Sequence, residues 1–280
     1  MDKPVCGTLT LVGTPIGNLG DFSPRAVAAL EGCDFIAAED TRVTLKLLNH
    51  FGITKPLVSY HEHNKRDRGE QVCARLLAGE NGVLVSDAGM PAISDPGEDL
   101  VALCRQKGIP VGVVPGPTAV TTALALAGLP TGRFTFEGFL SVNKKERREH
   151  LAELTDERRT MVFYEAPHKL VTTLADLLDT LGDREVALVR ELTKVHEEVV
   201  STTLSAAVEK YTAEPPRGEF VLIVRGAAPT QAAAADPDTA VALARGYMAE
   251  GMPPSEAAKK AAAATGLKKG DIYKALISKE

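Results

Sequence analysis

The sequence lacks the signature motifs of several common enzyme classes. No Gly-x-Gly occurs anywhere in its 280 residues, which excludes the Gly-x-Gly-x-x-Gly fingerprint of dinucleotide-binding proteins. Its glycine-rich N-terminal loop has no Lys-Ser/Thr pair, which disfavours a triphosphate-binding P-loop. A Gly-x-Ser-x-Gly elbow and a His-Glu-x-x-His helix are also missing, so neither a serine hydrolase nor a zinc hydrolase is supported.

Cysteine, long apolar runs and excess positive charge are scarce as well. The four cysteines, Cys6, Cys33, Cys73 and Cys104, form no Cys-x-x-Cys pair, which predicts reduced core thiols and no disulfide or metal role. No apolar run is long enough to span a bilayer and no apolar leader is visible, so we expect a cytoplasmic protein without a membrane partner. Because the net charge is −5, any contact with nucleic acid must come from a local basic patch.

An apolar run near the N-terminus ends in a glycine-rich loop that leads into a helix. Residues 9–12 are typical of a buried strand, and the loop 13–20 holds three glycines and one proline. Ser23 is placed to cap the following helix, with Pro24 at its first position. This arrangement brings bare backbone to a ligand at the carboxyl end of a strand. A tight turn without a ligand would have the same sequence.

Similar apolar runs alternate with helical patterns along most of the chain. The predicted strands are residues 9–12, 35–38, 83–85, 111–114, 161–164, 186–189 and 220–224, and the predicted helices are 25–30, 41–51, 71–77, 100–105, 119–129 and 168–181. The alternation predicts an α/β fold, and for the first series of four strands it predicts a mostly parallel sheet covered by helices. We expect an N-terminal α/β domain in residues 1–120 and a second α/β domain in residues 121–228, with a cleft between them.

The C-terminal part has a different composition. Residues 229–238 are rich in alanine, proline and threonine and are typical of a linker, which leaves 239–280 as a small helix-turn-helix-like appendage. Its predicted helices are 237–250, 255–264 and 272–277, with Ser255 and Asp271 as caps and Gly266 closing the second helix. From Arg245 onward, seven Lys/Arg and four Asp/Glu make the tail net +3, and the rest carries −8. Either RNA binding or a solvated helix face explains this tail.

A second basic run lies in the middle of the chain. It contains Lys144, Lys145, Arg147 and Arg148 and is followed by Arg158 and Arg159. Six cations in this span could bind phosphates. A charged surface helix without a ligand accounts for the same composition.

Polar, turn-forming residues follow most of the predicted strands, where ligand sites of α/β proteins lie. Each charged residue among them also has a structural explanation. Glu39-Asp40-Thr41 is suited to capping a helix, and Asp87 and Asp95 lie in turn sequences. His61 and His63 share one side of an extended segment, but no further ligand cluster is visible nearby, so no metal is expected.

Six of these segments, in the same order, resemble one family. They are Gly-Thr-Pro-Ile-Gly-Asn-Leu (13–19), Ala-Glu-Asp-Thr-Arg (38–42), Ser-Asp-Ala-Gly-Met-Pro (86–91), Pro-Gly-Pro-Thr-Ala (115–119), Phe-Tyr-Glu-Ala-Pro-His (163–168) and Arg-Glu-Leu-Thr-Lys (190–194). They resemble the tetrapyrrole-methylase-like ribosomal RNA small subunit methyltransferase I family, which methylates the ribose 2′-oxygen of a cytidine in the decoding region. The resemblance covers nearly the whole chain, including the segments 257–262 and 266–274 of the tail.

The resemblance implies two α/β domains that hold S-adenosylmethionine in a cleft between them, usually in a homodimer. The positions that would contact this cofactor are Pro15, Asp87, Gly89, Met90, Thr118, Ala119, Tyr164, Leu192 and Gly218. Met90 is a departure, because the family usually has threonine there. Only a backbone contact to the cofactor would survive this change. The implied partner is small-subunit ribosomal RNA or the assembled small subunit, which Lys144, Lys145, Arg147, Arg148, Lys268 and Lys269 would bind.

A ribose hydroxyl is a poor nucleophile and benefits from a nearby proton acceptor. The candidates are Asp40, Glu165 and Glu191, because they follow predicted strands, with Arg42 and Lys194 binding RNA phosphate or orienting the acid. Two other functions remain open from the sequence. A methyltransferase of the same fold could act on a porphyrin-type small molecule, although such a ligand needs neither basic segment. A non-catalytic RNA-binding protein would use the basic tail but leave the strand-end loops without a purpose.

Overall fold

The computed structural model describes residues 6–228 and 236–277. Residue contacts divide the chain into two units that meet between Gly226 and Ala227. The described part of the first unit contains two five-stranded sheets, and that of the second contains three helices. This arrangement confirms the predicted α/β class with two layered halves and a C-terminal helical piece.

The first sheet is entirely parallel. Its strands are β1 (Leu9–Val12), β2 (Phe35–Ala38), β3 (Leu57–Ser59), β4 (Gly82–Val85) and β5 (Val111–Val114), in the order β3-β2-β4-β1-β5. Every residue of β2 and β4 is buried, because helices cover both faces of the sheet. Parallel strands all end at the same edge, so the loops after them are brought together there.

Four helices cover the first sheet: α1 (Pro24–Gly32), α2 (Thr41–His50), α3 (Lys65–Leu77) and α4 (Gly97–Gln106). Leu30 of α1 and Leu48 of α2 pack on one face, whereas Leu76 of α3 and Leu100 of α4 pack on the other. The Ser23 side chain accepts a hydrogen bond from the Ala26 N–H, which confirms the predicted cap of α1.

The second sheet has mixed strand directions. Its strands are β6 (Phe134–Gly138), β7 (Thr160–Glu165), β8 (Glu185–Arg190), β9 (Glu198–Thr203) and β10 (Phe220–Val224), in the order β6-β7-β10-β8-β9. Strand β6 pairs with β7 in parallel, and the other three pairs are antiparallel. The mostly parallel arrangement predicted for the first four strands therefore does not extend to this half. Residues 191–197 join β8 to β9, and so short a connection permits only an antiparallel pair.

The helices of this half are α5 (Ala119–Leu126), α6 (Lys144–Glu153), α7 (Leu170–Leu181) and α8 (Leu204–Ala213). Helix α5 starts directly after the loop that follows β5, yet Val120 and Ala123 pack with Val162 and Ile223 of the second sheet. The predicted domain boundary at residues 120/121 therefore falls inside a helix that links the halves.

The cysteines lie in the first half of the chain. Cys33, Cys73 and Cys104 are buried and Cys6 is half-buried, in keeping with their prediction as core thiols. The sulfur atoms of Cys73 and Cys104 are 3.8 Å apart between α3 and α4. Burial raises the pKa of both thiols, that of Cys104 to about 12.

The second unit is a small helical cluster. Its helices are α9 (Pro237–Ala249), α10 (Pro254–Thr265) and α11 (Lys269–Ile277), and their core consists mainly of alanines with Ile272 and Leu276. Gly266 ends α10 in the left-handed conformation with φ +73°, as predicted. Most of the predicted linker, residues 229–235, lies outside the described residues.

Helix α9 begins at Pro237, as predicted, because Asp236 caps it and proline suits the first helical position, so the last two residues of the predicted linker are helical. Two other details of this unit differ from the predictions. Ser255 is not a cap, because Pro254 already starts α10. Asp271 lies in the first turn of α11, which begins at Lys269. An acidic residue in a first turn still favours the helix through its dipole.

Among residues 6–228 and 236–277, no helix combines the length and the apolar character needed to cross a membrane. In the same part of the chain, no three His, Cys, Asp or Glu side chains are grouped as metal ligands would be. The rings of His61 and His63 lie 5.9 Å apart, edge to face.

Candidate active site

A cavity of about 360 Å³ lies where loops from both sheets of the first unit meet. Its lining comes from the loops after β1, β2, β4 and β5 on one side and from β7, β8, β10 and their loops on the other. The lining residues are Ile16, Glu39, residues 86–90, 93–95, Thr118, Ala119, Phe139, residues 164–166, Val189, Leu192, Lys194 and residues 219–221.

Backbone contacts hold the loops of the first sheet together. Thr14 and Gly89 exchange two hydrogen bonds, with N···O distances of 2.9 and 3.1 Å. The loops after β1 and β5 approach so closely that a Cβ on Gly13 would lie 2.7 Å from Gly116 Cα. Glycine is required at this crossing because any side chain would separate the two loops.

Gly89 and Met90 line the cavity where these loops meet. Gly89 has φ +87°, and a Cβ there would lie 3.3 Å from Ile16 Cγ2 and 3.5 Å from Pro117 O. The Met90 sulfur accepts a hydrogen bond from the Gly116 N–H at 3.2 Å. The methionine that departs from the resembled family therefore supports the loop after β5.

Three carboxylates from the first sheet, Glu39, Asp87 and Asp95, line the cavity. Burial, and then the charges of Asp87 and Asp95, raise the pKa of Glu39. Burial also raises the pKa of Asp87, although its Oδ1 accepts a hydrogen bond from the Asp40 N–H at 3.0 Å. This side of the cavity therefore concentrates negative charge that a cationic ligand would neutralise.

Asp95 also fixes the shape of its own loop. Its Oδ1 accepts hydrogen bonds from the Ala92 N–H at 2.9 Å and the Gly97 N–H at 2.8 Å. Ala92 and Ser94 both have φ +67°, which is strained for residues with a side chain. The predicted turn role of Asp95 is therefore confirmed, and the same carboxylate faces the cavity.

Asp40 and Arg42 form a local pair beside the cavity. The Asp40 carboxylate accepts the Arg42 N–H at 2.8 Å, which confirms its capping role, and the Arg42 guanidinium at 2.6 Å. These hydrogen bonds lower the pKa of Asp40 to about 2. The Arg42 side chain is 87% exposed. Neither residue lines the cavity.

The second sheet contributes an apolar and aromatic side. Tyr164 stacks edge to face on Phe136 and Phe139, with ring centroids 5.0 and 5.5 Å away. Burial raises the pKa of Tyr164, partly offset by a hydrogen bond with the backbone of Val120. Leu192 is buried beside these rings.

Glu165 is the buried acid of this side, with 3% of its surface exposed. Its Oε1 accepts the Ala166 N–H at 2.8 Å, and its Oε2 accepts a short hydrogen bond from the Thr173 hydroxyl. The Arg147 guanidinium donates to the Thr173 oxygen at 2.9 Å and pairs with Asp176. The Ala166 N–H and the Thr173 hydroxyl thus fix the Glu165 carboxylate at the cavity wall.

Lys194 joins two acids at the opposite end of the cavity. Its Nζ is 3.0 Å from Glu191 Oε1 and 2.9 Å from Glu219 Oε2. The Glu219 N–H also donates to Glu191, which lowers the pKa of Glu191 despite partial burial. A Cβ on Gly17 would lie 2.6 Å from Lys194 Cγ, so this lysine also touches the loop after β1.

The structure brings most of the expected cofactor positions together. Seven of them line the cavity: Asp87, Gly89, Met90, Thr118, Ala119, Tyr164 and Leu192. Pro15 lies in a neighbouring groove, and Gly218 packs against Glu191 beside the lining residue Glu219. Of the proton-acceptor candidates, Glu165 lines the cavity, whereas Asp40 and Glu191 lie just outside it.

Several lining residues were not among the site predictions, and Glu39, Ile93, Asp95 and Phe139 are the ones with distinctive side chains. The two acids were interpreted as cap and turn residues, which is a correct but incomplete description of Asp95. Their proximity to Asp87 depends on the sheet order. Phe139 follows β6, a strand that was not predicted, so no signal marked its position.

The predicted RNA-binding residues of the first unit do not line this cavity. Lys144, Arg147 and Arg148 line a separate cavity of about 560 Å³ between α6 and α7, together with His168 and Lys169. The Arg147 side chain is only 12% exposed, whereas Lys145 is exposed and lies 3.8 Å from Glu149. Lys268 and Lys269 are exposed in the second unit.

Residues 8–208 match the family described as Tetrapyrrole (Corrin/Porphyrin) Methylases. Solved structures with this fold include the methyltransferase CobJ, with a TM-score of 0.61 at 22% identity over 79% of this chain and 95% of that one. The fold is also that of the Thermus thermophilus uroporphyrin-III C-methyl transferase complexed with S-adenyl homocysteine, with a TM-score of 0.54 at 20% identity, covering 78% and 97%.

Closer relatives are named ribosomal RNA small subunit methyltransferase I. The Synechocystis sp. protein is 47% identical over 98% of this chain and 99% of its own length. That of Bacillus subtilis is 42% identical over 99% and 97%. The Thermotoga maritima protein is 46% identical over 79% of this chain and 99% of its own. The chain therefore belongs to the tetrapyrrole methylase family and, within it, to the ribosomal RNA small subunit methyltransferase I group.

Proposed function

We propose that this chain transfers a methyl group from S-adenosylmethionine to the ribose 2′-oxygen of a cytidine in the decoding region of small-subunit ribosomal RNA. The observation that carries the proposal is similarity over nearly the full length to relatives named for methylation of that RNA. The choice of atom and nucleotide rests on the six motifs and their resemblance to this family.

The cavity fits S-adenosylmethionine chemically. This cofactor carries positive charge on its sulfonium and amino groups, and Glu39, Asp87 and Asp95 offer negative charge on one side. The Gly89 position leaves a backbone recess that a Cβ would narrow against Ile16. Thr118 makes no side-chain cap at the start of α5, and Thr118 and Ala119 both line the cavity at this helix end.

The bound cofactor supplies a methyl group already activated by a sulfonium leaving group. The chain must then hold the ribose oxygen in line with that methyl group and keep water out. Tyr164, Leu192 and Phe139 supply the apolar side that excludes water. In this proposal the first sheet recognises the positive charge of the cofactor, and the second sheet shields the reacting atoms from water.

Glu165 is the best placed of the three acids to accept the ribose proton. Asp40 is a weak base because Arg42 lowers its pKa to about 2. Glu191 is engaged by Lys194 and the Glu219 N–H, and its pKa is also lowered. Glu165 lines the cavity and is fixed by Thr173. Arg42 and Lys194 then serve as an RNA phosphate contact and an organiser of the Glu191 loop.

The direct test is transfer of radiolabelled methyl from S-adenosylmethionine to small ribosomal subunits from cells lacking the enzyme, followed by nucleoside analysis. We expect label in 2′-O-methylcytidine. Cofactor binding without label on subunits or naked RNA would favour a methylase of a porphyrin-type small molecule. Salt-sensitive RNA binding without thermal stabilisation by the cofactor would favour a non-catalytic RNA-binding protein.

The basic residues outside the cavity are proposed RNA contacts. Lys144 and Arg148 border the cavity between α6 and α7, and Lys145, Lys268 and Lys269 are exposed. Arg147 serves mainly to hold Thr173 and Asp176. Charge reversal at Lys268 and Lys269 should weaken RNA binding without altering cofactor affinity.

We also propose a cytoplasmic homodimer, from the family resemblance and the expected ribosomal substrate. Val113, on the edge strand β5, is more than half exposed, which is consistent with a surface that a second copy covers. Light scattering at several concentrations would test the dimer, and Val113→Glu should favour the monomer if β5 lies at the interface.

A further inference from the structure

A second groove lies beside the active-site cavity. It measures about 290 Å³ and runs between the loop after β1 and helix α2. Ser86 and Asp87 line both the groove and the cavity, so the two spaces share a wall. A ligand in the groove would therefore lie directly next to a reactant in the cavity.

The groove has an apolar surface that remains partly open. Leu19, from the loop after β1, is 44% exposed, and Val43 of α2 is 37% exposed. Pro15 completes this surface. Exposed apolar side chains grouped in a concave surface indicate a binding site.

Basic side chains of α2 line the same groove. Lys46 and His50 are among its lining residues, and Arg42, which pairs with Asp40, lies in the same row along the helix, four residues before Lys46. Helix α2 contains no Asp or Glu, although the chain up to residue 244 carries a net charge of −8. Among the described residues, no carboxylate pairs with Lys46 or His50. Helix α2 is therefore basic, whereas residues 1–244 as a whole are acidic.

An apolar surface bordered by basic side chains suits a nucleotide better than it suits the methyl donor. A base offers a flat face for Leu19 and Val43, and a phosphate offers negative charge for Lys46 and a hydrogen-bond acceptor for the His50 ring. We propose that this groove, formed by residues 14–19 and α2, binds the RNA nucleotide adjacent to the methylated one. The inference rests on the proposed function and adds a substrate subsite to it.

The test compares charge reversal in the groove with reversal elsewhere on the same sheet. Lys46→Glu changes the groove, and Arg105→Glu changes an exposed cation on α4, which packs on the opposite face. For Lys46→Glu we expect the KM for RNA to rise about tenfold, with kcat at saturating RNA and the Kd for S-adenosylmethionine within about twofold of wild type. Arg105→Glu should change none of these values.

Two further comparisons test the charge and the apolar surface of the groove separately. Lys46→Ala should lower the slope of log affinity against log salt by about one, because one phosphate contact is lost. Val43→Ser should weaken RNA binding by about threefold, whereas Leu77→Ser, an exposed apolar residue on α3, should not. All variants are assayed on naked RNA and on assembled subunits.

Three outcomes would overturn the inference. Equal RNA KM values for Lys46→Glu and Arg105→Glu would remove the groove from the substrate site. Loss of cofactor affinity in Lys46→Glu would assign the groove to the methyl donor. A defect on assembled subunits but not on naked RNA would mean that a ribosomal protein occupies the groove. Failure of wild type to methylate any RNA would instead contradict the proposed function itself.

Discussion

The two sheets of the first unit give the same cavity two chemically different sides. The first sheet contributes carboxylates held by backbone N–H groups, such as Asp87 and Asp95. The second sheet contributes the Tyr164 ring cluster and one buried acid, Glu165. The difference suggests that the first side recognises the charge of the methyl donor, whereas the second positions the acceptor and excludes water.

The largest effect should come from Glu165, the buried acid on the side of the second sheet. Glu165→Gln preserves the shape and the hydrogen bond from Ala166 but removes the proton acceptor. We expect kcat to fall by about a hundredfold or more, with the Kd for S-adenosylmethionine unchanged. Glu137→Gln is the matched control, because Glu137 lies on the neighbouring strand and bonds His150 outside the cavity. A change in Kd without a change in kcat would contradict this division of roles.

On the charged side, Asp87→Asn should act on binding. The variant keeps an oxygen for the Asp40 N–H but removes the negative charge that faces the cavity. The Kd for S-adenosylmethionine, measured by calorimetry, should rise about thirtyfold, or ~2 kcal/mol. Asp34→Asn is a close control, because Asp34 likewise accepts a backbone N–H, from Asn81 at 2.7 Å, outside the cavity. Equal effects of the two variants would show that the Asp87 role is structural.

A smaller effect is expected from the recess at Gly89. Gly89→Ala adds a methyl group at φ +87° and narrows the space against Ile16. Gly108→Ala imposes a similar strain at φ +69°, where nothing lies within 4 Å of the added atom. Both variants should lose about 1 kcal/mol of unfolding free energy. Only Gly89→Ala should also raise the cofactor Kd, by about tenfold. If its affinity is unchanged, the recess does not face the cofactor.

The smallest effect concerns pH and Glu39. Its folded-state pKa is raised above 4.5 by burial and by Asp87 and Asp95, so the folded protein holds this proton more tightly than the unfolded chain. Stability of the free protein should therefore fall as pH rises from 4.5 through the raised pKa. Affinity for cationic S-adenosylmethionine should rise over the same range, by a fewfold.

Glu39→Gln separates these two opposite trends. The variant should be more stable than wild type at neutral pH, yet bind the cofactor more weakly and with a flatter pH profile. S-adenosylhomocysteine lacks the sulfonium charge and should show a smaller pH dependence in both proteins. A parallel pH profile for the two ligands would mean that the carboxylates contact some other group.

The fold was predictable wherever strands are buried on both faces. Strands such as β2, β4 and β10 are continuous apolar runs and were predicted nearly to the residue. The strands that were missed, β3, β6 and β9, are all at sheet edges. Their residues are partly exposed and mix polar with apolar types, so composition alone does not separate them from loops. Edge strand β5 was found because it consists of valine and glycine.

The site was predictable to the extent that its residues lie in the strand-end loops. Asp87, Thr118 and Tyr164 belong to such motifs and meet at the cavity. The sequence does not show which acids share a wall, because that depends on β2 and β4 being neighbours. The Arg147–Thr173–Glu165 connection depends on the packing of α6 and α7 behind β7, and no local pattern indicates it.

Because all the cysteines lie in the first half of the chain, their reactivity reports opening of that half alone. All four cysteines precede residue 105, and burial raises the pKa of Cys33, Cys73 and Cys104. A thiol reagent at neutral pH therefore modifies these three only when the first half opens, because the thiolate is the reactive form. The second sheet and the C-terminal unit contain no cysteine, so their opening does not contribute to alkylation. The rate of alkylation, with and without cofactor, thus measures how far ligand binding suppresses opening of one half alone.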